Sequence, residues 1–187
     1  RSLLLSRMEA DQMAFHAEEV NLNEVVDSVW RPLAKAAAER DLVFRSSIPT
    51  DLALSCDRQS LLAVLSNLFS NAVEYAEDGG RVWIQAEAGD ASVELAVANT
   101  GCRLRPDEVA RVCDRFWRAD PARSEAGAHC GLGLSLVRRI VEAQGGSIHV
   151  GVDEGTFTFR FALPRSVHGK SQECKGPALN PCSGPSD

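Results

Sequence analysis

The sequence predicts an α+β fold, a two-layer sandwich of a mostly antiparallel, mixed sheet with helices on one face. Three observations carry this expectation. Strand-like segments come in pairs joined by short turns: 81–88 with 92–98 through Gly89-Asp90, and 147–152 with 157–163 around Asp153-Glu154-Gly155. Longer segments with apolar residues at helical spacing lie outside these pairs. Connections this short cannot make parallel crossovers, which argues against a doubly wound sheet.

Taken in order, residues 3–15 read as the end of a helix, with Leu3, Leu4, Met8, Met13 and Phe15 apolar. Val20-Asn21-Leu22 reads as a short strand. Asn23 is the expected N-cap of a helix that has Glu24 in its first turn and Val25, Val26, Val29, Trp30 and Leu33 at helical spacing. Pro32 within that pattern predicts a distortion, because proline lacks an N–H and its ring crowds the preceding turn. Leu42-Val43-Phe44 begins a strand broken by Pro49. Asp57 is a second expected N-cap, ahead of an amphipathic helix carrying Leu61, Leu62, Leu65, Leu68, Phe69, Ala72 and Val73. Asp78-Gly79-Gly80 is a turn, and Pro106-Asp107-Glu108 starts a helix. Residues 121–130 are polar and rich in Ala and Gly, too long for a tight turn, and are expected to form a mobile loop. Residues 132–143 read as a helix stopped by Gly145-Gly146. Residues 165–187, rich in Gly, Pro and Ser without periodicity, are expected to be disordered.

The net charge of −6 gives no general attraction to nucleic acid or anionic membrane, so an anionic ligand needs a local cradle. None of the six cysteines forms a CxxC pair or a zinc-spaced cluster, which predicts free thiols in a reducing compartment. No apolar run approaches the roughly 18 residues of a membrane span. The chain begins mid-pattern at Arg1, and the expectation is a fragment whose membrane anchor, if any, lies upstream.

Four constellations carry chemistry. Asn67 and Asn71, four apart, share a face of an otherwise apolar helix. Amides in that setting need partners: either backbone hydrogen bonds, or a hard cation such as Mg²⁺, which takes oxygen ligands and keeps several from phosphate. Asn99-Thr100-Gly101 follows a strand directly; alone it reads as a turn, though a glycine there suits close approach of a ligand to backbone. Gly131-Leu132-Gly133-Leu134 opens a helix, where free backbone N–H groups meet phosphate oxygens. Asp114-Arg115-Phe116-Trp117-Arg118 places two guanidinium groups, Arg115 and Arg118, where they can reach phosphates, while Phe116 and Trp117 are expected to anchor the segment to the core.

The order of these pieces resembles the ATP-binding catalytic domain of bacterial sensor histidine kinases, of the gyrase, chaperone, histidine kinase and mismatch-repair ATPase superfamily. The resemblance covers about residues 19–164. It rests on an N box (Asn67 to Tyr75), an F box (Asp114 to Arg118), a second glycine box (Gly131 to Leu134) and a final glycine box (Gly155-Thr156). Leu3-Leu4-Leu5-Ser6-Arg7-Met8 resembles the end of the family's dimerisation hairpin, so residues 1–18 are expected to be its C-terminal stub and 165–187 a tail. The Arg-Phe-Trp-Arg-Ala-Asp-Pro run is similar to that of the heavy-metal-sensing branch.

The resemblance implies ATP and Mg²⁺ as ligands. Asn71 would hold the metal and Asn67 support the phosphates, the pair on which catalysis rests. Asn99 and Gly101 would form the adenine edge, Tyr75 would line the pocket, and Arg115, Arg118 and Thr156 would border it. Gly131, Leu132, Gly133 and Leu134 would form the lid hinge. Hydrolysing relatives carry a Glu four residues before the metal-binding Asn. Here that position is Asn67, an amide that accepts no proton near neutral pH. The implied reaction is therefore phosphoryl transfer to a histidine on a separate dimerisation domain, in a homodimer that signals to a response regulator, with the full-length protein in the inner membrane. His16 is followed by Ala17 and lacks the acidic neighbour of a phosphoacceptor. Four departures from the family pattern, Glu74, Asn99, Arg103 and His129, support the alternative of a degenerate, non-catalytic regulatory domain.

Overall fold

A computed structural model describes residues 15–117 and 132–165. Residues 1–14 of the expected dimerisation stub, the mobile loop, the tail beyond Arg165, and with them Arg118, His129 and Gly131, lie outside the described residues.

The chain opens with β1 (Ala17–Asn21) and α1 (Leu22–Trp30). Asn21, not Asn23, is the N-cap: its backbone is still extended, and its side chain accepts from the Glu24 N–H at 3.2 Å. Asn23 instead donates its amide to the Pro49 carbonyl at 3.1 Å. The distortion at Pro32 is a 3-10 turn, Arg31–Leu33, which separates α1 from the short α2 (Ala34–Ala38). Proline takes an early turn position, where a missing N–H costs nothing. After β2 (Val43–Ser47) comes β3 (Ala53–Asp57), a strand the sequence reading passed over although Leu52, Leu54 and Cys56 alternate inward.

Asp57 caps α3 (Arg58–Tyr75) as expected, accepting from the Ser60 N–H at 2.7 Å. Burial tends to raise the Asp57 carboxyl. The Ser60 N–H and hydroxyl and the His16 N–H outweigh that and hold it below its ordinary value. The hairpin β4 (Arg81–Ala88) and β5 (Ser92–Thr100) follows, then α4 (Pro106–Val109), α5 (Gly133–Ala143), and the closing hairpin β6 (Ser147–Asp153) and β7 (Thr156–Pro164). Glu154 and Gly155, between β6 and β7, both have positive φ, the signature of a tight primed turn.

Five strands form one sheet in the order β2-β4-β5-β7-β6, antiparallel except for the β2/β4 pair. β1 and β3 form a separate two-stranded antiparallel sheet. The α+β reading holds, with the small second sheet as an addition. Val82, Ile84, Val93, Leu95, Val97, Phe159 and Phe161 are buried under the helices. α3 lies centrally and packs against both α1 and α5. Behind it, Trp30 stacks on Phe44 at 3.9 Å between ring centroids, and both meet the edge of Phe69 at 5.7 and 5.6 Å. This aromatic knot ties α1, β2 and α3 together two residues from each asparagine of α3.

Candidate functional site

Seen from α3 outward, Leu61, Leu65, Leu68, Phe69 and Ala72 turn into the core, while Asn67, Ser70, Asn71 and Glu74 remain half-buried. The start of α5 lies over that polar stripe. A Cβ added to Gly133 would lie 3.1 Å from Asn67 Oδ1 and 3.9 Å from Asn71 Nδ2. A methyl group here would crowd the Asn67 amide by a few tenths of an ångström, at an ordinary φ. Asn67 donates Nδ2 to the Ala63 carbonyl at 2.7 Å, which turns its Oδ1 toward Gly133. Of the two alternatives weighed for the amides, the backbone hydrogen bond is the one observed, at Asn67. Among the described residues no group of three His, Cys, Asp or Glu side chains is placed to hold a metal, so a cation at this site would rely on amide and phosphate oxygens.

α5 differs from the other two long helices at its N-terminus. α1 and α3 are capped by Asn21 and Asp57, whereas Leu132 offers no side-chain cap. Three to four N–H groups at a helix start have no partner within the helix. In α5 they meet the asparagine face with the positive end of the helix dipole behind them, an anion cradle. Ser135, nearly buried, donates its hydroxyl to the Leu132 carbonyl at 3.0 Å and fixes the first turn. Leu134 packs on the core.

The second wall comes from the end of β5. Asn99 is 3% exposed and sits between Val82 and Phe157 in the sheet register. Its NH₂, which must find an acceptor where an aspartate would need none, donates to the Thr100 carbonyl at 3.1 Å. Gly101 has φ +86°, and a Cβ there would fall 2.6 Å from the Glu77 backbone nitrogen, so this glycine is obligatory. Thr156 is the register partner of Thr100, which sets it beside the same edge. Tyr75, at the end of α3, is 47% exposed.

The structure therefore brings Asn67, Asn71 and Gly133 together, and Asn99, Gly101 and Thr156 together. Arg115 is exposed on the segment after α4. Phe116, expected to anchor that segment in the core, is instead 70% exposed with φ +64°. A cavity of about 470 Å³ is bordered by Glu19, Asp51, Ser55, Ala88 and Arg165. It lies away from this site: Ala88 is at the opposite end of β4 from Val82, the partner of Asn99, roughly 20 Å along the strand. Sequence reasoning missed Thr100, whose Oγ1 accepts from the Arg81 N–H at 2.9 Å. It also missed Arg40, whose contacts span more than thirty positions and leave no local signal.

Three cysteines lie within the described residues, and all are free. Burial pushes the Cys56 thiol up to about 12 and that of Cys113 to about 11, so neither is a thiolate nucleophile at neutral pH.

Comparison with known proteins agrees with this geometry. Residues 56–167 match the family model described as histidine kinase-, DNA gyrase B- and HSP90-like ATPase. SenX3, a sensor-like histidine kinase of Mycobacterium tuberculosis, is 34% identical over 164 residues, 87% of this chain and 40% of the relative. Among solved structures, the catalytic domain of the histidine kinase ThkA superposes with a TM-score of 0.71 at 27% identity, covering 80% of this chain and 96% of that one. Full-length ShkA, solved with AMPPNP, superposes at 0.75 with 28% identity, covering 89% of this chain and 35% of that one. The chain belongs to the histidine kinase-, DNA gyrase B- and HSP90-like ATPase family, and what it carries is the ATP-binding catalytic domain of the sensor histidine kinase type. It spans about two fifths of the length of SenX3.

Proposed function

We propose that this domain binds Mg²⁺-ATP between α3 and the start of α5 and presents the γ-phosphoryl group to a histidine on a dimerisation domain elsewhere in the protein. The observation that carries the reading is the uncapped N-terminus of α5 held over Asn67 and Asn71. Free N–H donors and amide oxygens on facing helices suit a metal-bound triphosphate. Asn71 would hold the Mg²⁺, whose charge would offset that of the triphosphate. Asn67 orients the phosphates; as an amide it cannot deprotonate water, so the site favours transfer over hydrolysis. Asn99 accepts from the adenine amine while Thr100 occupies its NH₂, and Gly101 lets the base approach. Tyr75 and Thr156 border the pocket, and Arg115 and Arg118 reach the phosphates from the segment that follows α4. Gly131 and Leu132 lead into the lid hinge at Gly133. The bound AMPPNP of ShkA supports the nucleotide assignment.

The expected boundary at residue 18 moves back, because Ala17 and Glu18 pair with Asp57 and Cys56: residues 1–16 are proposed as the stub of the dimerisation hairpin and 17–164 as the catalytic domain. The full-length protein is proposed as a homodimer in the inner membrane, signalling to a response regulator. Among the described residues no helix is long and apolar enough to cross a membrane. A degenerate regulatory domain is not favoured: the Asn99 departure is accommodated by the Thr100 carbonyl.

The test is calorimetric titration of the purified chain with ATP, with and without Mg²⁺, followed by transfer to separately supplied dimerisation segments. Saturable, Mg²⁺-dependent binding and a phosphorylated histidine on a matched segment are expected. No saturation at millimolar nucleotide overturns the reading.

A further inference from the structure

Arg40 stands in the turn between α2 and β2, and its guanidinium reaches the far end of α3. Nη1 donates to the carbonyls of Val73 and, at 3.2 Å, Glu74. Nη2 donates to Ala76 O at 2.6 Å, and Nε to Asp78 Oδ1 at 2.7 Å. The last carbonyls of a helix have no partner within it, and α3 has no basic residue in its own last turn. Arg40 supplies both the donors and the positive charge that the negative end of the dipole favours.

The contact is reciprocal. The Arg40 carbonyl accepts from the Gly79 N–H at 2.9 Å, and Gly80 O accepts from the Val43 N–H at 3.0 Å. Residues 76–80 are thereby held from outside by the Arg40 turn. From inside they press on the end of β5. Glu77 N–H donates to Thr100 O at 3.4 Å. A Cβ on Gly80 would lie 2.6 Å from Thr100 Oγ1, and one on Gly101 equally close to Glu77 N. Two glycines without room for a methyl group, on opposing segments, make this a tight lock between α3 and the edge bearing Asn99.

We propose that Arg40 is a positioning residue for the nucleotide site: by clamping the end of α3 and residues 76–80, it sets the asparagine helix against the Asn99–Gly101 edge. The inference rests on the ATP-site reading above. Arginine is required because its planar fork spans three carbonyls, whereas the lysine ammonium presents its donors from one point. The Asp78 pair contributes little, since that carboxylate is 79% exposed. Apolar packing already holds the body of α3 in the core, so the carbonyl bonds act where the helix meets the site.

The experiment measures Mg²⁺-ATP affinity of the full chain for wild type, Arg40→Ala, Arg40→Lys and Asp78→Asn, at a temperature where thermal unfolding shows each variant folded. Arg40→Ala is expected to weaken binding about tenfold, Arg40→Lys to recover part of that loss, and Asp78→Asn to stay within about twofold of wild type. The ratio of affinities with and without Mg²⁺ should stay at the wild-type value in all, because Asn71 lies outside the clamp. A purely structural Arg40 would lower the melting temperature yet leave the affinity of the folded chain unchanged, and that result overturns the proposal. So does an Asp78→Asn loss equal to that of Arg40→Ala. Should Arg40→Ala not fold, Arg40→Lys decides: wild-type affinity in that variant overturns the proposal, and an intermediate loss supports it. If wild type itself does not bind Mg²⁺-ATP, the ATP-site reading fails, and this inference falls with it.

Discussion

The two faces of α3 are built from different physics. On the inner face, Leu61, Leu65 and Phe69 have no exposed surface, and the Trp30–Phe44–Phe69 knot locks their positions. On the outer face, Asn67 and Asn71 are half-buried, and Asn67 spends part of its hydrogen-bonding capacity on the Ala63 carbonyl. The inner face contributes free energy by area removed from water, which tolerates small shifts. The outer face contributes placement of a few oxygen atoms, which does not. One rigid helix lets the first hold the second still.

Substitutions on either face test that division. The largest effect is expected from Phe69→Ala, which removes the shared member of the aromatic knot and should cost about 3–5 kcal/mol of stability in urea unfolding. A loss below 1 kcal/mol would mean that the knot does not hold the helix. Asn71→Ala should do the reverse. Phosphoryl transfer should fall about a hundredfold or more, with the melting temperature nearly unchanged. Gly133→Ala sharpens the contrast. Alanine favours a helix over glycine by up to about 1 kcal/mol, so the melting temperature should hold or rise. Nucleotide affinity should still drop several-fold, because the new methyl meets an Asn67 oxygen whose amide is tethered. Unchanged affinity would show that the start of α5 can shift. The smallest effect belongs to Asp57→Ala, at about 1 kcal/mol for a lost cap. The folded Asp57 carboxyl titrates below its ordinary value of 3.8. Its contribution is therefore fully present above 3.8 and is lost as the pH falls through the lower folded value, so the stabilities of wild type and variant should converge only below 3.8.

Much of the fold was legible because periods of 2 and 3.6 residues are local. β4 was read to the residue, and the Asp57 cap and the turn at Asp153-Glu154-Gly155 needed only neighbours in the chain. The cap at Asn21 was misread by two positions, because pairing of β1 with β3 keeps the chain extended through Asn21. β3 was missed although its alternation was present, since an isolated five-residue pattern gains meaning only from its partner strand. Phe116 was assigned to the core by its apolarity alone, and it faces outward.

The sequence by itself determined which chemical groups are available and in what order: paired amides on a helix, a glycine-opened helix, an asparagine at a strand end. It also made residue 67 an amide, which accepts no proton near neutral pH. Tertiary structure alone decided that the start of α5 lies over the asparagines without a side-chain cap, that Thr100 accepts the Asn99 amide, and that Arg40 closes α3 from more than thirty residues away. Patterns along the chain record which face of an element is apolar. They do not record which distant backbone group will be left needing a partner until the elements have packed.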